Sequence, residues 1–282
     1  MIKVFSEKNI DKPSVVKLWQ ECFGDSSEYI MFFLDNCPEY SCICYLNDDA
    51  LIVSMLFLLD GYLNGQMCKY LYAACTSSDY RRQGIMEKLI EFSKSYASEC
   101  GASGIFLVPA NESLYSYYSK FGFIASFMKK EIVLTSFESS GQAAKEKYLY
   151  TDIVSLKKEL CTGIDSYLFS DQIIEYTIKE HLFNNGDIYF NTESKTVIFY
   201  YENENNIIIK ELLTKSGSVA DAINEAFVNN KGKNIYILSP IVYNIKDIVE
   251  NCTKCGMCFP LDDKMKTYLE GNREIYAGMY LD

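Results

Sequence analysis

The chain has 282 residues, 49% hydrophobic and 23% charged, with 27 basic against 38 acidic side chains and a net charge of −11. That length points to about two domains, and the composition excludes intrinsic disorder and a collagen-like repeat. The negative balance excludes a general affinity for nucleic acid or anionic lipid, so any anion must sit in a local site, while a cationic or amine-bearing ligand is mildly favoured.

Met1–Ser14 carries Lys3, Glu7, Lys8, Asp11 and Lys12 without the apolar run of a secretory signal. Ala50–Leu59, the longest apolar stretch, is half the length of a membrane span. A soluble, cytoplasmic protein with no membrane partner is the expectation. The 11 cysteines are odd in number and lie in a long chain, which reads as reduced, mostly buried thiols rather than a disulfide framework.

In chain order, Val15, Val16, Leu18, Trp19, Cys22 and Phe23 share one helical face that Gly24 closes, and Ser26 and Ser27 offer the cap of a second helix carrying Ile30–Leu34. Cys42–Leu46 and Leu51–Leu59 read as strands joined at Asn47-Asp48-Asp49, and Cys68–Thr76 as a third. After the polar run Ser77–Gly84, Ile85, Leu89, Phe92 and Tyr96 mark one face of a helix that ends near Gly101. A short strand Ile105–Val108, a Tyr-rich helix Asn111–Lys120 and closing strands from Gly122 to about Leu134 complete the order α-α-β-β-β-α-β-α-β-β. The polar stretch Ser136–Lys147 predicts a linker, dividing the chain into domains 1–138 and 145–282. The second half offers a helix at Ser170–Leu182, strands at Thr196–Tyr201 and Ile207–Leu213, a helix Val219–Val228 and a strand Ile235–Leu238. This echoes the strand–helix–strand core of the first half without a residue-level repeat.

The sharpest chemical feature is Cys75-Thr76-Ser77-Ser78-Asp79-Tyr80-Arg81-Arg82-Gln83-Gly84-Ile85-Met86, where a strand ends, a basic glycine loop follows and a helix begins. Unpaired backbone N–H groups and the positive end of the helix dipole make such a junction an anion site. Taken alone, a helix N-terminus with solvated arginines accounts for it equally well. The second feature is Asn111 followed by Tyr115-Ser116-Tyr117-Tyr118-Ser119-Lys120-Phe121-Gly122-Phe123, in which Tyr115 and Tyr117 read as packing residues.

Together these segments resemble the GNAT superfamily of acetyl-CoA-dependent N-acetyltransferases. Arg81–Met86 matches the family's Gln/Arg-x-x-Gly-x-Gly/Ala loop, and Asn111 with Tyr118-Ser119-Lys120-Phe121-Gly122-Phe123 matches its Asn and Tyr-x-Lys-x-Gly-Phe elements. Met86 departs from the family's small residue. The resemblance covers roughly the first 134 residues. It implies an α/β (α+β) fold with a mixed, mostly antiparallel sheet flanked by helices, followed by a second, smaller GNAT-like domain. The second half has only Thr214–Ser218 at the corresponding junction, without the arginine, so that domain would be catalytically silent.

The resemblance further implies that acetyl-CoA lies in the splay between Cys68–Thr76 and Ile105–Val108. Cys75 and Thr76 would lie along the pantetheine, Arg81, Arg82, Gln83, Gly84, Ile85 and Met86 at the pyrophosphate, and Asn111 would orient the helix or pantetheine. A neutral amine of a small molecule would attack the thioester directly and Tyr118 would protonate the departing thiolate, a transfer from a phenol near pKa ~10 to a thiol near ~8.5. Glu112, Asp60, Asp79, an ordered water chain and the carboxylate of Asp282 stay open as the general base. Glu28, Phe32 and Phe33, with Trp19 and Asp35, are the acceptor-site candidates. A non-catalytic acyl-CoA-binding module is the alternative. Cys252, Cys255 and Cys258 have Cys-x-x-Cys spacing but no adjacent fourth ligand, and His181 is the single histidine, so no metal site is expected. The oligomeric state is not readable from the sequence.

Overall fold

A computed structural model describes residues 1–139, 146–215, 219–228, 230–239, 250–272 and 274–281. They fall into two compact units of nearly equal length, Met1–Ala125 with Gly256–Asn272, and Ser126–Cys255 with Arg273–Asp282. The division falls near the start of a strand. Of the stretch expected to be a linker, Ser136–Glu138 is strand and 140–145 lies outside the described residues.

The first unit opens with strand β1 (Ile2–Ser6), which the charge-rich N-terminus does not announce. Ile2 and Val4 alternate onto the core while Lys3 points away, a pattern too short to stand out. Helix α1 (Lys12–Phe23) has Pro13 in its first turn and ends at Gly24, whose φ of 78° suits glycine. In α2 (Ser27–Asn36) the Ser26 hydroxyl accepts the Tyr29 N–H at 3.1 Å. Strands β2 (Ser41–Leu46), β3 (Ile52–Leu63) and β4 (Gln66–Thr76) pair antiparallel, then α3 (Ile85–Glu99) crosses over to β5 (Gly104–Leu107), which runs parallel to β4. Helix α4 (Glu112–Ser119) follows, and β6 (Ile124–Glu138) carries the chain into the second unit as one long strand.

Alternation along the strands gives the first sheet two apolar faces. Leu56, Leu58, Leu71, Ile105 and Leu107 pack with Leu89 and Ile90 of α3 and Tyr118 of α4. On the other face, Trp19 of α1 and Phe33 of α2 meet Phe57 and Tyr72, with ring centroids 5.1 to 5.6 Å apart. Such contacts contribute about 0.5–1.5 kcal/mol per pair beyond area burial, so α1 and α2 are fixed firmly to the sheet.

The second unit repeats this order of elements. After α5 (Tyr150–Leu160), β7 (Tyr167–Phe169) and α6 (Asp171–Phe183), strands β8 (Asp187–Asn191), β9 (Thr196–Glu202) and β10 (Asn206–Thr214) pair antiparallel, and α7 (Val219–Ala226) crosses to a parallel β11 (Lys231–Ser239). Buried Lys157 of α5 pairs with buried Glu211 of β10 at 2.5 Å, and Glu211 also accepts the Tyr276 hydroxyl at 2.7 Å and the Met279 N–H at 3.0 Å. An ion pair this enclosed needs those extra donors to offset its desolvation. His181 is buried with Nε2 3.0 Å from the Asp187 carbonyl, and desolvation lowers its pKa. Of Thr214–Ser218, the expected silent counterpart of the anion loop, residues 216–218 lie outside the described residues.

Strand β12 (Glu250–Pro260) and helix α8 (Asp263–Gly271) return the chain to the first unit. Met257–Pro260 pair antiparallel with Gly104–Leu107 of β5. Cys252, Cys255 and Cys258 thus share one strand, where residues three apart point to opposite faces. Among the described residues no helix is long and apolar enough to cross a membrane.

Candidate active site

Among the described residues, strands β4 and β5 pair between Cys68–Tyr70 and Gly104–Phe106, and the strand pairing is not continued along the rest of β4. The other edge of β4 is irregular as well. Met55 stands opposite Cys75 and Phe57 opposite Tyr72, leaving Ala73 and Ala74 across from Leu56, with Ala73 at φ 47°. This bulge turns the backbone of β4 where the strands part. Ser54 fixes the strand end, its hydroxyl lying 2.8 Å from both the Cys75 carbonyl and the Thr76 hydroxyl.

Beyond Thr76 a 3-10 turn, Ser78–Tyr80, leads to Arg82 at φ 62° and Gly84 at φ 71°, and α3 begins at Ile85. Gly84 makes the left-handed turn without strain and offers no side-chain cap. Among the described residues, no backbone N–H from Arg82 to Glu87 finds an acceptor. A run of free amides at a helix N-terminus is a built anion cradle. The loop is held from outside it. Glu21 of α1 accepts the Ser78 N–H at 2.7 Å, Arg81 Nε donates to the Thr76 carbonyl at 2.9 Å, and Gln83 Nε2 donates to the Asp79 carbonyl at 3.2 Å.

These elements enclose a cleft of about 520 Å³ lined by Cys22, Phe23, Ala74, Cys75, Thr76, Tyr80, Arg81, Arg82, Gly84, Ile85, Met86, Glu87, Leu114, Tyr117, Tyr118 and Phe121. That is within the size range of ordinary cofactor pockets. By contrast, a cavity in the second unit beside Lys129, Lys210 and Tyr276 has room for about one water, at about 20 Å³. The Tyr118 ring packs edge-on against Tyr117 and Phe123, and burial, with a smaller contribution from Tyr117, pushes its pKa above the ordinary phenol value. The phenol therefore keeps its proton across the physiological range.

The cleft brings together Cys75, Thr76, Arg81, Arg82, Gly84, Ile85, Met86 and Tyr118 as the motifs suggest. Met86 is half-buried, packing against the core that α3 covers while also lining the cleft. Gln83 is exposed and does not line the cleft, and Asn111 caps α4, its Oδ1 accepting the Leu114 N–H at 3.3 Å. Glu28, Phe32 and Phe33 of α2 do not line it either. Glu28 is exposed, Phe32 half-buried, and Phe33 enclosed in the aromatic core. Of the candidate bases, Asp60 pairs with Lys69, Glu112 and Asp79 lie off the cleft, and Asp282 is outside the described residues. The sequence reading misses Cys22, Phe23 and Glu87. Cys22 and Phe23 pass for ordinary residues of an amphipathic helix, and Glu87 for a favourable acid in a first turn.

Residues 5–125 match the family model described as an acetyltransferase (GNAT) domain. The chain carries a GNAT acetyltransferase domain. Solved structures share its fold over most of its length. A conserved protein of unknown function from Enterococcus faecalis superposes with a TM-score of 0.71 at 11% identity, covering 93% of this chain and 72% of that one. GCN5-related N-acetyltransferases from Kribbella flavida and Anabaena variabilis each give 0.67, at 12% and 16% identity, covering 93% of this chain and 72% and 73% of theirs. No protein with a curated description matches the sequence. The GNAT fold is thus present in a chain whose sequence has diverged far from these structures.

Proposed function

We propose that this GNAT protein moves an acetyl group from acetyl-CoA to a primary amine of a small molecule. The free amides of Arg82–Glu87, in the same cleft as Tyr118, carry this reading. The diphosphate of the coenzyme would take those amides, beside Arg81 and Arg82, and its pantetheine arm would run along Ala74–Thr76, where β4 leaves β5. The neutral amine nitrogen attacks the thioester carbonyl carbon, the oxyanion meets backbone donors of the β4 bulge, and the carbon–sulfur bond breaks. Tyr118 gives its proton to the departing thiolate and recovers it as the attacking nitrogen loses one through water.

The acidic surface suits a cationic amine and a cytoplasmic protein without nucleic-acid or membrane partners. Thiol release from acetyl-CoA across polyamines, aminoglycosides, amino acids and peptides tests the reading, and at least one class should give stoichiometric thiol. The exposure of Glu112 and Asp79 away from the cleft favours a second reading, an acyl-CoA-binding module without catalysis. Thermal stabilisation by CoA with no transfer to any amine would establish that second reading over the first.

A further inference from the structure

Cys22 stands at the end of α1, half-buried on the cleft wall, and three groups converge on its sulfur. Its thiol donates to the Thr76 carbonyl at 3.4 Å, Arg81 Nη2 lies 3.8 Å from Sγ, and the buried Cys75 thiol hydrogen-bonds to it. That bond from Cys75, aided by the guanidinium and opposed by desolvation and the Glu21 charge, brings the Cys22 thiol down to about 7. The same contact, together with burial, drives Cys75 well above the ordinary thiol value. A thiolate next to a fixed cation and open to a cleft attacks disulfides, and a neutral thiol beside it can resolve the product.

We propose that Cys22 is a thiol–disulfide exchange site for disulfides of the pantetheine type, with Cys75 as its resolving partner. The proposal rests on the reading of the cleft as a coenzyme A site. Cys22 Sγ attacks one sulfur of CoA disulfide, a Cys22–CoA disulfide forms as the reagent's own S–S bond breaks, and the first CoA leaves as a thiolate that takes a proton from water. Cys75 then loses its proton and attacks Cys22 Sγ, and the second CoA leaves as a thiol carrying that proton. Two cysteine thiols have given up two electrons and two protons, and one disulfide has become two thiols. The product ties α1 to β4 across the cleft wall and would hinder the pantetheine path.

The test treats the full chain with CoA disulfide at pH 7 and follows CoA release, intact mass and peptide maps. The wild type should release two equivalents and yield a Cys22–Cys75 cross-linked peptide. Cys75→Ser should release one equivalent and retain one CoA on Cys22, and Cys22→Ser should do neither. Exchange should run at least about tenfold faster with CoA disulfide than with hydroxyethyl disulfide, because only the former is seated by the cleft. Equal rates, or CoA found on exposed Cys100 or Cys252 with Cys22 unmodified, would overturn the proposal. Titration of CoA into wild type and Cys22→Ser separates the two readings. Binding without exchange defeats the proposal alone, whereas absence of CoA binding to the wild type defeats the coenzyme reading and the proposal with it.

Discussion

Glu21, in the last turn of α1, accepts both the backbone N–H of Ser78 at 2.7 Å and its hydroxyl at 3.0 Å, so one carboxylate ties the first helix to the turn that enters the anion loop. The bond from the Ser78 N–H lowers the Glu21 pKa. Replacing Glu21 by Ala should weaken CoA binding several-fold while leaving the circular dichroism spectrum unchanged, as calorimetric titration would measure. Because the carboxyl pKa is depressed in the folded state, its contribution is present above the ordinary value of 4.5 and is lost as the pH falls through the lowered one. Wild type and variant should therefore converge in acid.

Glu87 lies over the loop, its Oε2 3.8 Å from where a Cβ on Gly84 would stand. A carboxylate there stabilises the helix N-terminus when it is empty and repels a diphosphate when it is filled. Glu87→Gln should tighten CoA binding by about two- to fivefold, in line with ~0.3–1 kcal/mol for a charge at a helix end. Unchanged or weaker binding at low salt would show that the diphosphate is seated elsewhere.

Tyr118→Phe should lower turnover by about a hundredfold, within the range of a general acid, and leave the KM for acetyl-CoA within about twofold. Since burial raises the phenol pKa, the wild-type rate should show no alkaline fall from this group up to pH 10.

Gly256 sits where β12 meets β5, and a Cβ there would lie 2.5 Å from Phe106 Cε2 and 3.2 Å from the Leu107 carbonyl oxygen. Gly256→Ala should cost about 1–3 kcal/mol, the usual range for overpacking. Gly271→Ala, at a helix end with no atom within 4 Å, is the control and should be neutral in the same urea titration.

The alkylation rate of Cys22 by iodoacetamide should rise with pH through a midpoint near 7, because the thiolate is the reacting form. In Arg81→Gln the midpoint should move upward, which peptide mapping would resolve.

Much of the first unit can be read from local pattern. The helix at Ile85–Glu99 and the strand Gln66–Thr76 lie where spacing places them, since each buries a face whose period is its own. The anion loop is legible only in company with Asn111 and Tyr118–Phe123, because a helix N-terminus with solvated arginines accounts for the first segment alone equally well. What remained hidden depends on distant partners. No local rule says that Met257–Pro260 pair with β5, or that Cys22, Cys75 and Arg81 share a corner. Phe33 and Cys22 both read as apolar helix residues, and only the fold shows that one enters the core while the other lines the cleft.

The placement of Met257–Pro260 against β5 has a consequence for biosynthesis. When the N-terminal 125 residues leave the ribosome, one flank of β5 still awaits its neighbour, which is translated only at residues 257–260. Completion of the first unit's sheet therefore waits until those residues have emerged, and nascent chains halted before residue 256 would display a sticky, unsatisfied strand to chaperones and to one another.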